Sequence, residues 1–598
     1  MVNKTTGNIT VNNQLRWKVI DGLQLVGQAV IRKYDQDENV TNKKIINYDW
    51  DNNEVREKRT PNSAERRYQK TLSKNFTLYA DYKKNFNDRH DLSVMVGTSH
   101  ESENYDRFTA KRINFDQQEN MSLQLGSAQD QNAWSEGNQW TINSFFSRVN
   151  YTFANKYVIE GTIRADGSSR FDPDHRWGWF PGVNAAWRVG EEGFMKRLGW
   201  FEDLKVRASY GEMGNQSGIG LYDYIQLISL SNDYYPFGTG VKGQMATSGN
   251  IISTSRTWET IQTTNVGFDF STLNNRLYGS FDYFWKENKN MLIPKTYPSM
   301  LGADAPSTNS GHLSIHGWEI SLGWRDQIKD FSYSVRFNIS DAKNKVVDRV
   351  GSNLIQLGNN ETPTGYPLNS YFGYEFDGII QNEQELEAYK SRFSEGGIPG
   401  DLSVGDAMYK DLDGDGKLSV LGDGKEGSGD VKYLGDKNPR YNFGFNLSMA
   451  WKGFDLSAFI QGVGRRTMFL EGESRCPMPE AWYQSAEYWY GKTWTPERTD
   501  AQYPAITLKD KRNYNYYVST NTKFNVAYAR LKNLQFGYTI PQTLTSKAGL
   551  QKVRVYFSGE DLFEVHNTPN GWDPEENSGS ITSYPFTRNY SFGINVVF

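Results

Sequence analysis

The amino-acid sequence predicts an all-β chain, a transmembrane antiparallel β-barrel, and three observations carry the prediction. Apolar and polar residues alternate strictly over many short stretches. Aromatic residues are plentiful where aliphatic ones are few. Tight and long connections take turns along the chain. The last twelve residues, TRNYSFGINVVF from Thr587 to Phe598, show the first of these. Tyr590, Phe592, Ile594, Val596 and Phe598 fall on one face; Asn589, Ser591, Gly593 and Asn595 fall on the other. That is the period of two expected of a strand. A soluble sandwich would bury the apolar face, and a membrane barrel would turn it to lipid. This strand alone leaves both open.

Composition narrows the choice. Hydrophobic residues are 37% of the 598 and aromatic residues 14%, while mean hydropathy is −0.70. A packed soluble core draws on more aliphatic residues than this. A barrel wall needs apolar groups only at alternate positions, with aromatic girdles at both membrane interfaces. No run approaches the ~18 apolar residues of a membrane-spanning helix, so a membrane protein of this sequence crosses with strands. The net charge of −4 gives no basic face for nucleic acid. One cysteine, Cys476, excludes a disulfide framework and a thiolate metal cluster. The opening MVNKTTGNIT has no apolar signal region. An exported barrel would therefore have lost a leader or be a fragment of a longer chain.

Taken in order, segments with strand alternation fall near 8–18, 22–34, 74–83, 90–100, 141–153, 156–166, 178–189, 203–211, 262–271, 276–286, 316–325, 331–341, 440–452, 453–464, 526–539, 551–559 and 587–598. Each is close to the ~10 residues that cross a bilayer at a tilt. In the clearest, Tyr441, Phe443, Phe445, Leu447, Met449 and Trp451 alternate with Asn442, Gly444, Asn446, Ser448 and Ala450. Alternation of lipid-facing and interior-facing positions predicts that Phe445→Arg blocks assembly while Asn446→Arg is tolerated. Tight turns near Asp21-Gly22, Asn85–Arg89, Ala154-Asn155, Asn274-Asn275, Asp326–Lys329 and Lys452-Gly453 alternate with long polar connections. These run about 35–73, 101–140, 212–261, 287–315, 342–439, 465–525 and 560–586. Soluble sandwiches keep both ends short, whereas outer-membrane barrels have tight periplasmic turns and elaborate outer loops. On the tight side, Gly190 to Asp203 is expected to hold one helical turn. Single-chain bacterial barrels have even strand numbers, so about seventeen strands are expected to be the C-terminal part of a larger wall.

Several long motifs then resemble one family. IRADGSSRFDPDHRWGWFPGVNAAWRVGEEGFM at 163–195, LKVRASYGEMGNQ at 204–216 and TTNVGFDFSTLNNRLYGSFDYFWKENKNML at 263–292 are three. DLDGDGKLS at 411–419, GDKNPRYNFGFNLSMAWKGFDLSAFIQGVG at 435–464, ARLKNLQFGYTIP at 529–541 and GEDLF at 559–563 follow in order, ending at Phe598. The series is similar to the SusC/RagA family of TonB-linked outer-membrane transporters of Bacteroidota, over essentially the whole chain. The resemblance implies a barrel of about 22 strands with a plugged lumen. The plug, the TonB box and about five leading strands have no counterpart here. It further implies import of oligosaccharides or peptides, a SusD-like surface lipoprotein over the long loops, TonB–ExbB–ExbD as energy source, and no enzymatic activity. The alternative is a surface glycan-binding or adhesin-like β protein that transports nothing.

One local motif has metal-ligand spacing. Asp411, Asp413, Asp415, Gly416, Lys417 and Ser419 place oxygens at positions 1, 3 and 5, glycine at 6 and a backbone carbonyl at 7, as an EF-hand calcium loop does. Position 12 is Gly422 where a bidentate Glu belongs, with Asp423 beside it and Asp430 further on. The expectation is a structural Ca²⁺ shaping the 342–439 loop, set against a plain acidic surface turn. Neither HExxH nor GxSxG occurs, and no cofactor motif is present. His312 and His316 would share a metal only on a helix, and their stretch reads as a loop entering a strand. Asp166 to Arg170 reads as architecture at a strand end, and Cys476 as a bystander in a polar loop. Tyr234, Tyr235, Trp482, Trp489, Tyr490, Trp494, Tyr514, Tyr516 and Tyr517 either stack on a ligand, or pack the loops on themselves or against a lid protein.

Overall fold

The computed structural model describes residues 2–231, 236–237, 241–242, 245–249, 251–294, 300, 307–349, 357–358, 362–421, 429–479, 485–507, 510–576, 584 and 586–598. Seventeen strands belong to one antiparallel sheet. They are β1 (Val2–Ile20), β2 (Leu23–Asn42), β3 (Ser63–Phe86), β4 (His90–Ile113), β5 (Gln131–Phe153), β6 (Tyr157–Ser168), β7 (Trp177–Arg188), β8 (Asp203–Asn215), β9 (Glu259–Thr272), β10 (Leu277–Pro294), β11 (Ser307–Ile328), β12 (Phe331–Asp348), β13 (Arg440–Trp451), β14 (Phe454–Arg465), β15 (Tyr528–Thr539), β16 (Lys552–His566) and β17 (Asn589–Val597). Every segment with strand alternation is a strand. Between β7 and β8 the expected helical turn is present as α1 (Gly193–Leu198). Gly199 ends it with a φ of 65°, a left-handed cap that a side chain would disfavour.

The chain divides into two compact units, the first built mainly from residues 1–185 and the second mainly from 310–598. In the first, β1 to β6 pair in sequence, each with the next. The registers set apolar side chains in rows across the sheet. One row reads Trp17, Leu25, Ala80, Val96, Ser147, Ile163, and the next reads Leu15, Gly27, Leu78, Thr98, Phe145, Ala165. In the second unit, Phe337 opposes Phe445, which opposes Ile460, and Phe557 opposes Phe592. A slip of one residue would exchange the two faces of any strand, so these rows fix the register.

Several strands run well past their alternating segments, always into the long connections. β3 pairs with β4 from Phe86 opposite His90 to Ser63 opposite Ile113, so connections expected at 35–73 and 101–140 shrink to 43–62 and 114–130. In the added length both faces are mostly polar: Arg67, Gln69 and Lys70 oppose Thr109, Arg107 and Asp106, with one aromatic pair, Tyr68 and Phe108, among them. Backbone pairing continues there without the alternation that marks a strand in sequence. At the other ends the turns are tight. Ala154 and Asn155 have φ of 52° and 57°, and Lys452 and Gly453 have 47° and 91°, the two-residue geometry whose twist matches that of the flanking strands.

Among the described residues, two large buried apolar clusters lie in the long connections of the second unit. One gathers Tyr374, Ile380, Leu386, Tyr389, Phe393, Tyr409, Leu418 and Tyr514. A second gathers Met468, Leu470, Cys476, Trp489, Tyr503, Tyr516 and Trp572. Helix α2 (Glu383–Arg392) packs Leu386 and Tyr389 into the first. Asn382 starts it by accepting the Glu385 amide at 2.9 Å, and Glu385 reaches back to the Gln381 amide at 2.9 Å, a reciprocal N-terminal cap.

Candidate functional site

The face opposite the apolar rows is polar and ionically cross-linked. Arg207 on β8 holds Asp282 at 2.5 and 2.6 Å and Asp269 at 3.3 Å, and Lys205 holds Asp269 at 2.7 Å. Arg554 on β16 pairs with Asp455 on β14 and donates to Gln535 on β15 at 3.1 Å. In the first unit Arg164 donates to Asp166 at 2.8 Å and to Ser144 at 2.7 Å. Charges of this density on a lipid-facing surface would cost several kcal/mol each. The two faces are therefore a greasy exterior and a wet interior.

The 349–439 and 466–527 connections form a platform around buried tyrosines. Tyr389 and Tyr514 join hydroxyl to hydroxyl at 2.6 Å, the Tyr409 amide donates to Tyr389 at 2.9 Å, and the Tyr409 hydroxyl donates to the Tyr514 carbonyl at 2.7 Å. Burial pushes the Tyr389 phenol up to about 12 and holds those of Tyr409 and Tyr514 well above the ordinary value. These hydroxyls are structural pins. At the platform's edge Glu375 takes Lys410 at 2.7 Å on one oxygen and Lys432 on the other. Those two ammonium groups hold its carboxyl down at about 2.

Near this platform, the Asp-rich turn brings three carboxylates together: one oxygen each from Asp411, Asp413 and Asp430 lie within 4.8 Å of one another. Oxygens around one Ca²⁺ at 2.3–2.6 Å stand at most about 5 Å apart, so the spacing fits. Backbone amides set the geometry. Asp411 accepts Gly414 and Gly416 at 2.6 and 3.0 Å, and Asp430 accepts Leu412 and Ser419 at 2.6 and 2.8 Å. Gly414 and Gly416 take φ of 74° and 76° to allow it. Desolvation, then mutual repulsion, raises the carboxyls of Asp413 and Asp430 above their ordinary range.

The arrangement differs from the EF-hand pattern. Asp415 turns to the Lys417 amide at 2.8 Å and is outside the group of three. Lys417 bridges to Gly396, and the Ser419 carbonyl accepts the Asp430 amide at 2.9 Å. Asp423 lies outside the described residues. Asp430, fully buried, takes the place sought at position 12, arriving eighteen residues after Leu412 through its own amide bonds. No local spacing rule finds a carboxylate brought in from a position just before a later strand, Val431–Asp436.

Other expected positions resolve as structure. His312 and His316 both lie on β11, so they stand about 13 Å apart along an extended chain and cannot share an ion. His312 instead meets Glu287 at 2.5 Å, whose second oxygen accepts Ser314 at 2.7 Å. The turn at Asp166 to Arg170 is architecture: Ser168 donates to Gln216 at 2.6 Å and Arg170 to the Ile219 carbonyl at 2.7 Å. Cys476 is buried in the second apolar cluster, not set in a polar loop. Trp489, Tyr514 and Tyr516 are buried, Tyr517 packs on Tyr374, and Trp494 donates to Gln381 at 3.1 Å. Tyr490 stands 89% exposed. Tyr234, Tyr235 and Trp482 lie outside the described residues.

With this geometry in place, comparison with known proteins assigns the family. The model of the TonB dependent receptor-like β-barrel matches residues 3–562. TonB-dependent receptor P3 of Formosa agariphila is 32% identical over 558 residues, 88% of this chain and 52% of that protein. TonB-dependent receptor SusC of Bacteroides thetaiotaomicron is 26% identical over 560 residues, 88% of this chain and 50% of that one. The solved RagAB peptide transporter superimposes with a TM-score of 0.81 at 22% identity, over 100% of this chain and 62% of that chain, a likeness of fold. This chain spans about half the length of the curated relatives it matches. It belongs to the TonB-dependent receptor-like β-barrel family, as an outer-membrane barrel wall of the SusC/RagA kind.

Proposed function

We propose that the chain is the wall of a TonB-coupled importer that brings oligosaccharides or peptides through the outer membrane. The observation that carries the reading is the two-faced wall, apolar rows outside and Arg–Asp pairs inside, in a chain similar to SusC and folded like the RagAB peptide transporter. In this reading the tight turns are periplasmic and the long connections, 342–439 among them, are extracellular. The polar face lines the solute path, and no side chain needs to make or break a bond. The tyrosine-pinned platform is the seat of a SusD-like lipoprotein, and TonB–ExbB–ExbD acts through a plug. A Ca²⁺ on Asp411, Asp413 and Asp430 stiffens the 342–439 loop; Asp415, Lys417 and Ser419 shape the turn around it.

The test is uptake by cells with and without the gene, using fluorescent oligosaccharides and fluorescent peptides of matched size. Loss of one class on deletion, and equal loss when the proton-motive force is collapsed, is the expected result. Unchanged uptake of both classes contradicts transport and favours a surface adhesin.

A further inference from the structure

On the wet face of the second unit, two arginines share one tyrosine ring. Tyr278 lies four residues before Asp282 on β10, so it points to the same side as the Arg207–Asp282 pair. Its ring packs on Gly323 of β11, where any Cβ would collide with it. The guanidinium carbon of Arg325 stands 5.3 Å from the ring centroid and that of Arg336 stands 5.7 Å from it. Arg325 donates through Nε to the Asn275 carbonyl at 3.0 Å, and Arg336 donates through Nη2 to the Tyr278 hydroxyl at 3.3 Å. Beside them runs a groove of about 590 Å³, with Arg325, Gln327, Ser332, Ser334, Ser448 and Ala450 in its lining.

Other cations of this face come with acids, as Arg207 does with Asp282 and Arg554 with Asp455. Among the described residues, neither Arg325 nor Arg336 is ion-paired. The acids around them are engaged or distant. Asp326 stands opposite Tyr333 and pairs with Arg276 at 3.2 Å, and Asp282 is taken by Arg207 at 2.5 and 2.6 Å. Glu319 lies four residues from Gly323 on the same face of β11, about 13 Å along the strand. The position between the two arginines belongs to a serine: Ser334 opposes Arg325 and precedes Arg336 by two residues on one face. Two guanidinium groups over one ring repel each other, and both are forks built for a carboxylate or a like oxyanion. The wall supplies no counter-charge of its own.

We infer that this groove recognises an anionic oligosaccharide, its carboxylate or sulfate held by Arg325 and Arg336 and its hydroxyls by the serines of the floor. The inference rests on the importer reading and deepens it by naming the charge of the solute. The floor favours a sugar over a peptide. From Arg325 the row continues as Ser334, Ser448, Ser457, Gln535, Ser558 and Ser591, a hydroxyl or an amide on every strand. A glycan offers hydroxyls to such a row along its length. A peptide would look for apolar pockets or an open strand edge, and β12 to β16 are each paired on both sides.

The test is uptake by whole cells making the full protein that carries this chain, parent or variant. The probes are fluorescent pools of uronate oligosaccharides and of sulfated oligosaccharides, the same pools methyl-esterified or desulfated, and acidic peptides of matched size. Parent cells are expected to take up one of the anionic pools at least tenfold faster than its neutral form, and which pool it is separates carboxylate from sulfate. Two independent variants are compared: R325Q/R336Q, which removes the pair, and Ser334→Glu, which sets a carboxylate between the two arginines. Each is expected to bring the anionic-to-neutral ratio within twofold of one, with the heat-modifiable folded band in outer membranes showing that the wall has assembled. An unchanged ratio in either assembled variant, or faster uptake of the acidic peptides by the parent, overturns the assignment. So does an equal fall of anionic and neutral uptake in the variants, the result expected if an acidic protein segment covers the pair. Parent uptake of neutral pools with no anionic preference rejects this site and leaves the importer reading intact, whereas uptake of no pool and no peptide rejects both.

Discussion

Phe445 and Ser448 lie three residues apart on β13 and face opposite solvents. Phe445 stands between Phe337 and Ile460 on the lipid side, and Ser448 between Ser334 and Ser457 on the wet side. An arginine at a lipid-facing position near the midplane costs about 2–4 kcal/mol. Phe445→Arg is therefore expected to abolish the heat-modifiable folded band in lipid, while Ser448→Arg keeps its folding yield within twofold. Asn446, the polar partner suggested by alternation alone, opposes Arg336, so a new arginine there meets a like charge, and Ser448 is the cleaner comparison. Equal folding yields for Phe445→Arg and Ser448→Arg would refute the facing. Glu375 makes a second prediction at this scale. Its folded carboxyl, at about 2, lies below the ordinary value near 4.3. A depressed carboxyl contributes stability that is full above pH ~4.3 and is lost as pH falls through about 2. Protease resistance of the paired strands Ser370–Tyr374 and Val431–Asp436 should therefore decline over that window. Glu375→Gln should remove the decline by lowering resistance at neutral pH; an unchanged pH profile would contradict the ion-pair account.

At the scale of elements, the sequence was most legible where one face is greasy. Period two identified all seventeen strands because lipid on one side and water on the other enforce it. It failed where β2 to β5 rise beyond the apolar rows, since two polar faces give no alternation although the backbone ladder continues. The Asp-rich turn was half legible for a similar reason. Asp411 and Asp413 follow a local loop spacing, but Asp430 comes from the far side of the connection. It is bound there by the amides of Leu412 and Ser419, a tertiary fact. Burial and nearby carboxylates raise the carboxyls of Asp413 and Asp430, so protons compete with a cation for the cluster. Ca²⁺ should accordingly protect the 405–436 segment from proteolysis at pH 7, with apparent affinity falling as pH drops through the carboxyl range. Asp430→Asn should abolish the protection while Asp415→Asn retains most of it. Equal loss in both variants would restore the EF-hand pattern and reject the three-carboxylate site. The loop aromatics went largely the plain way, because Trp489, Tyr514 and Tyr516 are needed to give the long connections a core of their own.

At the scale of the whole molecule, apolar side chains on the wall and in the long connections do different jobs. On the wall they face outward in rows and meet lipid; in the long connections of the second unit they turn inward around pinned tyrosines. Composition alone could not separate these, because both draw on the same aromatic residues. The order of tight and long connections did separate them, since only one end of the wall carries enough chain to build a platform. Ion pairs such as Arg207–Asp282 and Arg554–Asp455 then follow from the wall's inner face being wet. No motif reports them, as the partners come from different strands far apart in sequence.

The central claim is that the wall has a lipid side and a water side, and cysteine scanning of β13 in native outer membranes tests it most directly. Single cysteines are placed in turn from Tyr441 to Trp451, with Cys476, buried in the second apolar cluster, as the quiet background. Each is offered a water-soluble and a lipid-soluble maleimide. The account predicts strict alternation: positions 442, 444, 446, 448 and 450 react with the water-soluble reagent, and positions 441, 443, 445, 447, 449 and 451 only with the lipid-soluble one. Uniform labelling by the water-soluble reagent, or none at any position, would contradict it.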